Sequence, residues 1–187
     1  MFCSILAIPI VIYPLAFIGI LEEQGTLKLD ANKIQTRTLA VGEYSDGRFY
    51  FLKPEDFSVE KKYAGVVPLF VLQKGEDMSI SLLSDSNEGN NKVYFDQFYK
   101  DAYTGASSGY DLDISDINED EGKTKNGLLY YKKSLRIIGE QDYFFGVIVV
   151  FDDKSQKVAG MSFWSFYSDR TKMNSYLESL LESIKFS

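Results

Sequence analysis

Histidine and cysteine, the side chains that most often carry nucleophilic and metal chemistry, are almost absent from this sequence. Its 187 residues include no histidine and one cysteine, Cys3, which lies inside an apolar N-terminal stretch. Without histidine, the chain lacks the usual general base near neutral pH and the most common transition-metal ligand. A single cysteine excludes a disulfide within the chain, a thiolate zinc site and the usual Cys–His nucleophile pair. Any reaction would have to use carboxylates, serine, lysine or tyrosine.

The richest run of carboxylates is Asp111 to Gly122, with the sequence DLDISDINEDEG. Its spacing superficially resembles a calcium-binding loop. When Asp116 is placed at the first ligand position, however, Glu121 stands where the turn glycine belongs and Gly127 where the bidentate glutamate belongs. We therefore predict that residues 111–125 form a solvated acidic loop and that the protein needs no cofactor. A loose divalent-cation site in this loop is the alternative.

The charge balance favours a protein partner over a nucleic acid. There are 20 basic and 27 acidic residues, giving a formal charge of −7, and no stripe of lysine and arginine offsets it. A negative surface repels polyanions but can attract a basic protein. The residues predicted to bind such a partner are Asp111, Asp113, Asp116 and Asp120.

Sequence motifs of common enzyme classes are missing as well. The chain has no G-x-S-x-G, no GxxxxGK[ST] and no GxGxxG after a strand, which removes serine hydrolases and nucleotide-binding loops from consideration. Acidic pairs of the glycosidase type have no diagnostic spacing. We expect no enzyme and nominate no catalytic residue. An extracytoplasmic hydrolase that depends on carboxylates or a cation is one alternative, and an inhibitor or immunity-type protein is another.

The N-terminal stretch from Phe2 to Leu21 carries no charge and is long enough to cross a bilayer as a helix of roughly 30 Å. We interpret residues 1–21 as a transmembrane anchor, followed by a polar linker over residues 22–36. A cleaved signal peptide is the alternative, although its basic start and small-residue cleavage site are not evident. A buried core helix is a further one. We expect the domain to lie outside the cytoplasm, in the cell envelope or periplasm, or to be secreted.

Residues 37–187 are predicted to form one domain, because 45% of the chain is hydrophobic and 15% is aromatic, enough apolar area to offset the entropy lost on folding. Helical spacing predicts two helices, over Lys92–Tyr103 with a stop at Gly105 and over Asp169–Ile184 with Asp169 as the N-cap. Other runs predict strands. These strand-like runs are Arg48–Leu52, Val66–Leu72, the alternating run Met78–Leu83, Leu128–Ile138, Tyr143–Phe151 and Val158–Phe166.

The last three strand-like runs are joined by short turns, which predicts an antiparallel meander. The middle run, Tyr143–Phe151, is apolar on both faces, so we expect it to be the central strand and to be covered on both sides. The predicted class is therefore α+β, with an antiparallel β-sheet, two main helices packed on it and one hydrophobic segment before it.

Two short motifs lie at the ends of this domain, over Gly47–Glu60 and Leu177–Phe186. The first, GRFYFLKPEDFSVE, is similar to the opening G-F-x-F-x-x-P signature of PsbP-like and DcrB-like domains. The stretch Leu177–Phe186 (LESLLESIKF) is similar to their closing helix and S-x-x-F. The order of strands and helices between the two motifs also agrees.

This resemblance implies a role in binding or assembly, since the members include an extrinsic photosystem subunit, bacterial envelope lipoproteins and a nuclear-transport cofactor. The chain departs from the lipoproteins because Cys3 precedes the apolar run instead of following it, which puts lipid anchoring in doubt and leaves a protein span in its place. The leading hypothesis is a non-catalytic binding or assembly domain, membrane-tethered or exported, that acts on a protein partner.

Overall fold

The computed structural model describes residues 41–64, 67–107 and 112–187. The predicted anchor, the linker, the start of the domain at residues 37–40, Val66 and Asp111 lie outside the described residues. The strands are β1 (Glu43–Ser45), β2 (Phe49–Leu52), β3 (Ser58–Ala64), β4 (Val67–Lys74), β5 (Met78–Ser86), β6 (Ile114–Lys123), β7 (Leu129–Ile137), β8 (Tyr143–Asp152), β9 (Lys157–Phe166) and β10 (Lys185–Phe186). The helices are α1 (Asn91–Ser107) and α2 (Arg170–Ser183), and a short 3-10 turn at Tyr167–Asp169 precedes α2. Within these ranges, no helix has the length and apolar character needed to cross a bilayer.

The strands form two antiparallel sheets, which confirms the α+β class. The larger sheet has seven strands in the order β3-β4-β5-β9-β8-β7-β6, and the smaller has three in the order β1-β2-β10. The predicted meander is present as β7, β8 and β9. The middle place in the larger sheet belongs to β9, and β8 lies beside it. The prediction of the central strand was wrong by one place because β5 also pairs with β9, and no periodicity in the sequence reports that pairing.

The two helices cover opposite faces of the larger sheet. On one face, α2 buries Met173, Leu177 and Leu180 in a core that also includes the two buried phenylalanines of β2. On the other face, α1 buries Phe95 and Phe98 against apolar residues of β7, β8 and β9. This burial confirms that both predicted helices pack on the sheet, and it explains why β8 is buried along nearly its whole length.

Two predicted helix boundaries differ from the structure. Helix α1 continues past Gly105 to Ser107 because Ala106 is buried in the core and holds the last turn against the sheet. Asp169 does not cap α2, since no side-chain hydrogen bond reaches the start of that helix. Its carboxylate instead accepts a hydrogen bond from Lys172 at 2.8 Å. The 3-10 turn leaves Asp169 with φ −96 and ψ 6, outside the extended conformation that N-cap residues normally adopt.

A candidate protein interface on the acidic edge strand

The run predicted to be an acidic loop is instead β6, an edge strand of the larger sheet. It pairs with β7 on one side, and no described strand lies on its other side. Its side chains are exposed from Asp116 to Glu121. The loop prediction failed because a strand that is solvated on both faces needs no alternation of apolar and polar residues. We call β6 the acidic edge strand, because it carries one lysine and four carboxylates, Asp116, Glu119, Asp120 and Glu121.

A β-bulge divides the acidic edge strand near its start. The register with β7 shifts between Ser115 and Asn118, and Asp116 adopts a left-handed conformation with φ 50, which aspartate tolerates better than most residues. The carboxylate of Asp116 accepts a hydrogen bond from the hydroxyl of Tyr167 at 2.6 Å. It also lies 3.8 Å from the guanidinium of Arg136. Asp116 is thus held at the bulge by groups from two other segments.

The basic groups beside the bulge are engaged with Tyr167 and Asp142. The guanidinium groups of Arg136 and Arg170 each lie 4.5 Å from the centre of the Tyr167 ring, a distance typical of cation–π contact. Arg136 also donates two hydrogen bonds to Asp142, one of them from Nε at 2.9 Å. The hydrogen bonds from Arg136 are the main reason that the pKa of Asp142 lies below its ordinary value, and a hydrogen bond from the Gly139 amide adds to the effect.

Three of the four predicted partner-binding residues lie along this edge. Asp113 directly precedes the strand and is exposed, and its carbonyl accepts the amide hydrogen of Ile138 at 2.8 Å. Asp116 lies at the bulge. Asp120 lies in the second half of the strand and accepts a hydrogen bond from the hydroxyl of Tyr130 at 3.1 Å. Asp111 lies outside the described residues. The arrangement is a row of carboxylates along one edge, not a cluster around one point.

The sequence reasoning missed Glu119 and Glu121, which lie on the α1 side of the strand. Glu119 pairs across the strands with Lys133 and accepts a hydrogen bond from its Nζ at 2.6 Å, which lowers the pKa of Glu119. Glu121 is paired with Tyr131, which is uncharged. The sequence signal for both residues is the unbroken run Asn-Glu-Asp-Glu, since consecutive acidic residues in a strand place charge on both faces.

The opposite face of the strand is directed towards α2. Asp120 is paired with Lys132, a half-buried lysine whose Nζ donates to Oδ1 of Asn174 at 2.9 Å. Burial lowers the pKa of Lys132, while the charges of Asp120 and Glu178 act in the other direction. Lys132 is therefore turned towards the helix, and Asp120 stays exposed to solvent.

The turn between β6 and β7 is fixed to the end of α2. The Lys125 amide donates to a carboxylate oxygen of Glu182 at 2.7 Å. The side-chain amide of Asn126 donates to the carbonyl oxygens of Glu182 at 3.3 Å and Ile184 at 3.1 Å. Such bonds satisfy carbonyls that the helix end leaves without intrahelical partners. The far end of the acidic edge strand is thereby held in place.

Two open depressions lie near the strand, and neither has the character of an enclosed active site. One, of about 250 Å³, is lined by charged and aromatic side chains, including Lys92, Glu119, Glu121 and Tyr131. The other, of about 410 Å³, surrounds the start of α1 and is lined by polar residues from 87 to 92 and by Asp153. Over residues 41–64, 67–107 and 112–187, no group of three or more His, Cys, Asp or Glu side chains could hold a metal ion. What the edge can do chemically is attract cations and offer backbone hydrogen bonds.

The fold is shared with solved structures of PsbP and Mog1. The cyanobacterial PsbP protein (CyanoP) of Synechocystis sp. PCC 6803 matches with a TM-score of 0.57 and 17% identity, over 82% of this chain and 99% of that one. A mutant of the protein Mog1 matches with a TM-score of 0.50 and 11% identity, over 77% of this chain and 94% of that one. No protein-family model matches the sequence, and neither does any curated protein. At these identities the likeness shows the fold alone, and it confirms the PsbP-like fold that the two sequence motifs predicted.

Proposed function

We propose that this PsbP-like domain is a non-catalytic binding domain that captures a basic protein partner through its acidic edge strand. The observation that carries the proposal is the position of the four carboxylates of β6, which are exposed along the outer edge of the larger sheet. Charge complementarity of this kind mainly raises the association rate and selects the partner. A row of acidic groups repels nucleic acid.

We further propose that residues 2–21 tether the domain to a membrane and that the domain acts outside the cytoplasm, in the cell envelope. The uncharged length of this segment supports the tether. A tethered domain meets membrane-associated partners at a high effective concentration, so that a modest affinity at the acidic edge strand suffices for capture. An assembly or support role on another envelope protein fits both features.

The test is a zero-length carbodiimide crosslink in intact membranes that contain the full chain. Carbodiimide joins a carboxylate to a lysine amine directly, so it captures contacts between the acidic edge strand and a basic partner. Mass spectrometry then identifies both the partner and the joined residues. We expect crosslinks from β6 carboxylates to partner lysines. Crosslinks confined to carboxylates of other strands would contradict the proposal.

Charge-neutral variants give the quantitative arm of the test. With the captured partner purified, replacing the four predicted aspartates by asparagine should slow association and flatten its dependence on ionic strength, with little change in melting temperature, because exposed charges contribute little to stability. The variant carries D111N, D113N, D116N and D120N. Asparagine at position 116 keeps an acceptor for the Tyr167 hydroxyl.

The matched control removes the same number of charges from exposed positions outside the acidic edge strand. It carries E55Q, E60Q, E76Q and D77N, which alter the turn before β3, β3 itself and the turn between β4 and β5. We expect the control variant to bind like the wild-type chain. Equal losses in the two variants would mean that net charge acts alone, and unchanged binding in the variant with four asparagines would mean that these aspartates are not part of the interface.

A further inference from the structure

We propose that the acidic edge strand binds its partner by strand addition, with an extended basic segment of the partner hydrogen-bonded to β6 along residues 118–123. This inference rests on the proposed function and specifies its geometry. An edge strand presents backbone donors and acceptors that another chain can pair with. A row of carboxylates does not by itself define a binding site. The outward backbone amide and carbonyl groups of β6 define where the partner chain would be held.

The direction of the backbone groups follows from one hydrogen bond at the end of the strand. The Thr124 amide donates to the Leu128 carbonyl at 2.9 Å, so the backbone groups of Thr124 point inward, towards the β7 side. In an antiparallel pair, inward and outward residues alternate. The amide and carbonyl groups of Glu119, Glu121 and Lys123 therefore point away from β7. Two of the outward positions are thus the glutamates.

The length of regular edge is set by the bulge. From Asn118 to Lys123 the register with β7 is continuous, and at about 3.4 Å per residue this stretch spans roughly 20 Å. The bulge at Ser115–Asn118 and the positive φ of Asp116 bend the strand before it. A partner strand can therefore pair along residues 118–123, and the bulge limits it on the N-terminal side.

The side chains indicate the composition of the occupant. Glu119 and Glu121 lie two residues apart on the α1 side, and Asp120 lies between them on the other side. A strand laid against this edge places its alternate residues on the same two faces. Lysine or arginine at positions i and i+2 would face the two glutamates. Glu121 gains most from this, since its partner on β7 is the neutral Tyr131.

A second copy of the chain is a poor occupant of the same edge. In the antiparallel registers that use most of residues 118–123, pairing β6 with β6 of another molecule would set Glu121 opposite Glu119 or opposite a second Glu121, and like charges directly opposite destabilise a strand pair. Pairing it with β3 of another molecule would bring Glu60 and Lys62 onto one face and Lys61 onto the other. Each face would then carry at most one lysine, and one face would also carry a glutamate. An alternating basic segment of a different protein avoids both conflicts.

The test uses a synthetic fluorescent peptide of alternating lysine and threonine, KTKTKTKT, and a twin whose backbone nitrogens are methylated at alternate residues. The twin keeps every charge but loses the donors on its pairing edge. Fluorescence anisotropy should show that the full chain binds the twin about tenfold or more weakly than the parent peptide, because several backbone hydrogen bonds are lost. In hydrogen exchange, the parent peptide should slow the amides of Glu119, Glu121 and Lys123.

The double variant E119Q and E121Q should weaken binding of the parent peptide, and the control E60Q and E76Q should not. Equal affinity for the two peptides, with binding still lost in the double variant, would overturn strand addition and leave charge-based capture standing. Binding unaffected by the double variant and by the four asparagine changes would overturn the proposed function as well. A parent peptide that fails to bind at millimolar concentration, or a chain that dimerises through residues 118–123, would also overturn strand addition.

Discussion

Replacing Gly146 by alanine tests the strand register on which the geometry of the acidic edge strand depends. A Cβ atom at this position in β8 would collide with the carbonyl oxygen of Lys133. It would also lie 2.9 Å from the Cα of Ser134 and 2.5 Å from the ring tip of Phe163. Two of these obstacles are backbone atoms of β7, so they cannot move aside without disturbing the ladder between β7 and β8.

The expected cost follows from two opposing effects. Overpacking of this kind typically destabilises a protein by about 1–3 kcal/mol, and a backbone obstacle places Gly146→Ala near the upper end. The lower chain entropy of alanine in the unfolded state returns about 0.4–1 kcal/mol. We therefore expect a net loss of about 2 kcal/mol in the free energy of unfolding. Urea denaturation should show it as a lower midpoint with an unchanged slope.

Two other glycines provide matched controls. At Gly160 the added Cβ would lie 2.5 Å from the ring of Phe98, so the obstacle is a side chain and not the backbone of a neighbouring strand, and a smaller loss is expected. At Gly127 nothing lies within 4 Å, but φ is +79, and the left-handed conformation should cost about 1–2 kcal/mol. If Gly146→Ala were as stable as the wild-type chain, the pairing of β7 with β8 would be wrong. The faces assigned to the β6 carboxylates would then need revision, because a slip of one residue reverses every side chain.

Four further predictions concern the core, the turn, the ion pairs and the tether. Leu180→Ala should lower the free energy of unfolding by about 2–5 kcal/mol in urea titrations, since Leu180 is fully buried; a loss below about 1 kcal/mol would place it at the surface. Asn126→Ala should lower the free energy of unfolding by about 1 kcal/mol and speed hydrogen exchange in the β6–β7 turn. Unchanged exchange would mean that α2 does not hold the turn. Arg136 lowers the pKa of Asp142 from its ordinary value of 3.8. The ionised carboxylate therefore stabilises the fold fully above that pH, and this stabilisation is lost as the pH falls through the lower pKa of the folded state. The melting temperatures of Asp142→Asn and the wild-type chain should differ at neutral pH and converge in acid, and a constant difference would refute this linkage. Deleting residues 2–21 should move the protein from the carbonate-resistant membrane fraction to the soluble fraction, whereas an intact chain already extracted by carbonate would contradict the tether.

The parts of the fold that the sequence predicted well are those with a strong apolar pattern. The helical stripe that includes Leu177 and Leu180 specifies both α2 and its buried face. The continuous apolar run from Tyr143 specifies an interior strand, because few polar residues could be satisfied there. Short turns between three such runs leave an antiparallel meander as the simplest connection.

The parts that the sequence did not predict lack such a pattern. The short strands β1 and β10 contain three and two residues, too few to show a period, and they are defined only by their pairing with β2. The acidic edge strand has no buried face of its own, and its backbone pairing with β7 is what makes it a strand. Local sequence carries no record of such long-range pairings.

The candidate site was predicted in part. The sequence singled out Asp113, Asp116 and Asp120, which the structure places along one edge. It did not indicate Glu119 and Glu121, because alternation of faces has meaning only once a strand is assigned. The distinction between a row on a sheet edge and a loop also needed the structure, since only the sheet shows which backbone groups point outward. That these residues bind a partner stays a proposal.

The smaller sheet imposes an order on folding during synthesis. The middle strand of this sheet, β2, pairs with β1, which is close to it in the sequence. The other strand that pairs with β2 is β10, which is synthesised much later. The hydrogen bond from the Leu52 amide to the Ser183 hydroxyl likewise joins residues 131 positions apart. A two-stranded hairpin alone is only marginally stable in water. The ribosome must therefore release the segment that contains α2 and β10 before the first hairpin gains its third strand. Until then, Phe49 and Phe51 lack the α2 residues that bury them in the folded domain, and a translation product truncated before residue 170 would leave them without that cover permanently.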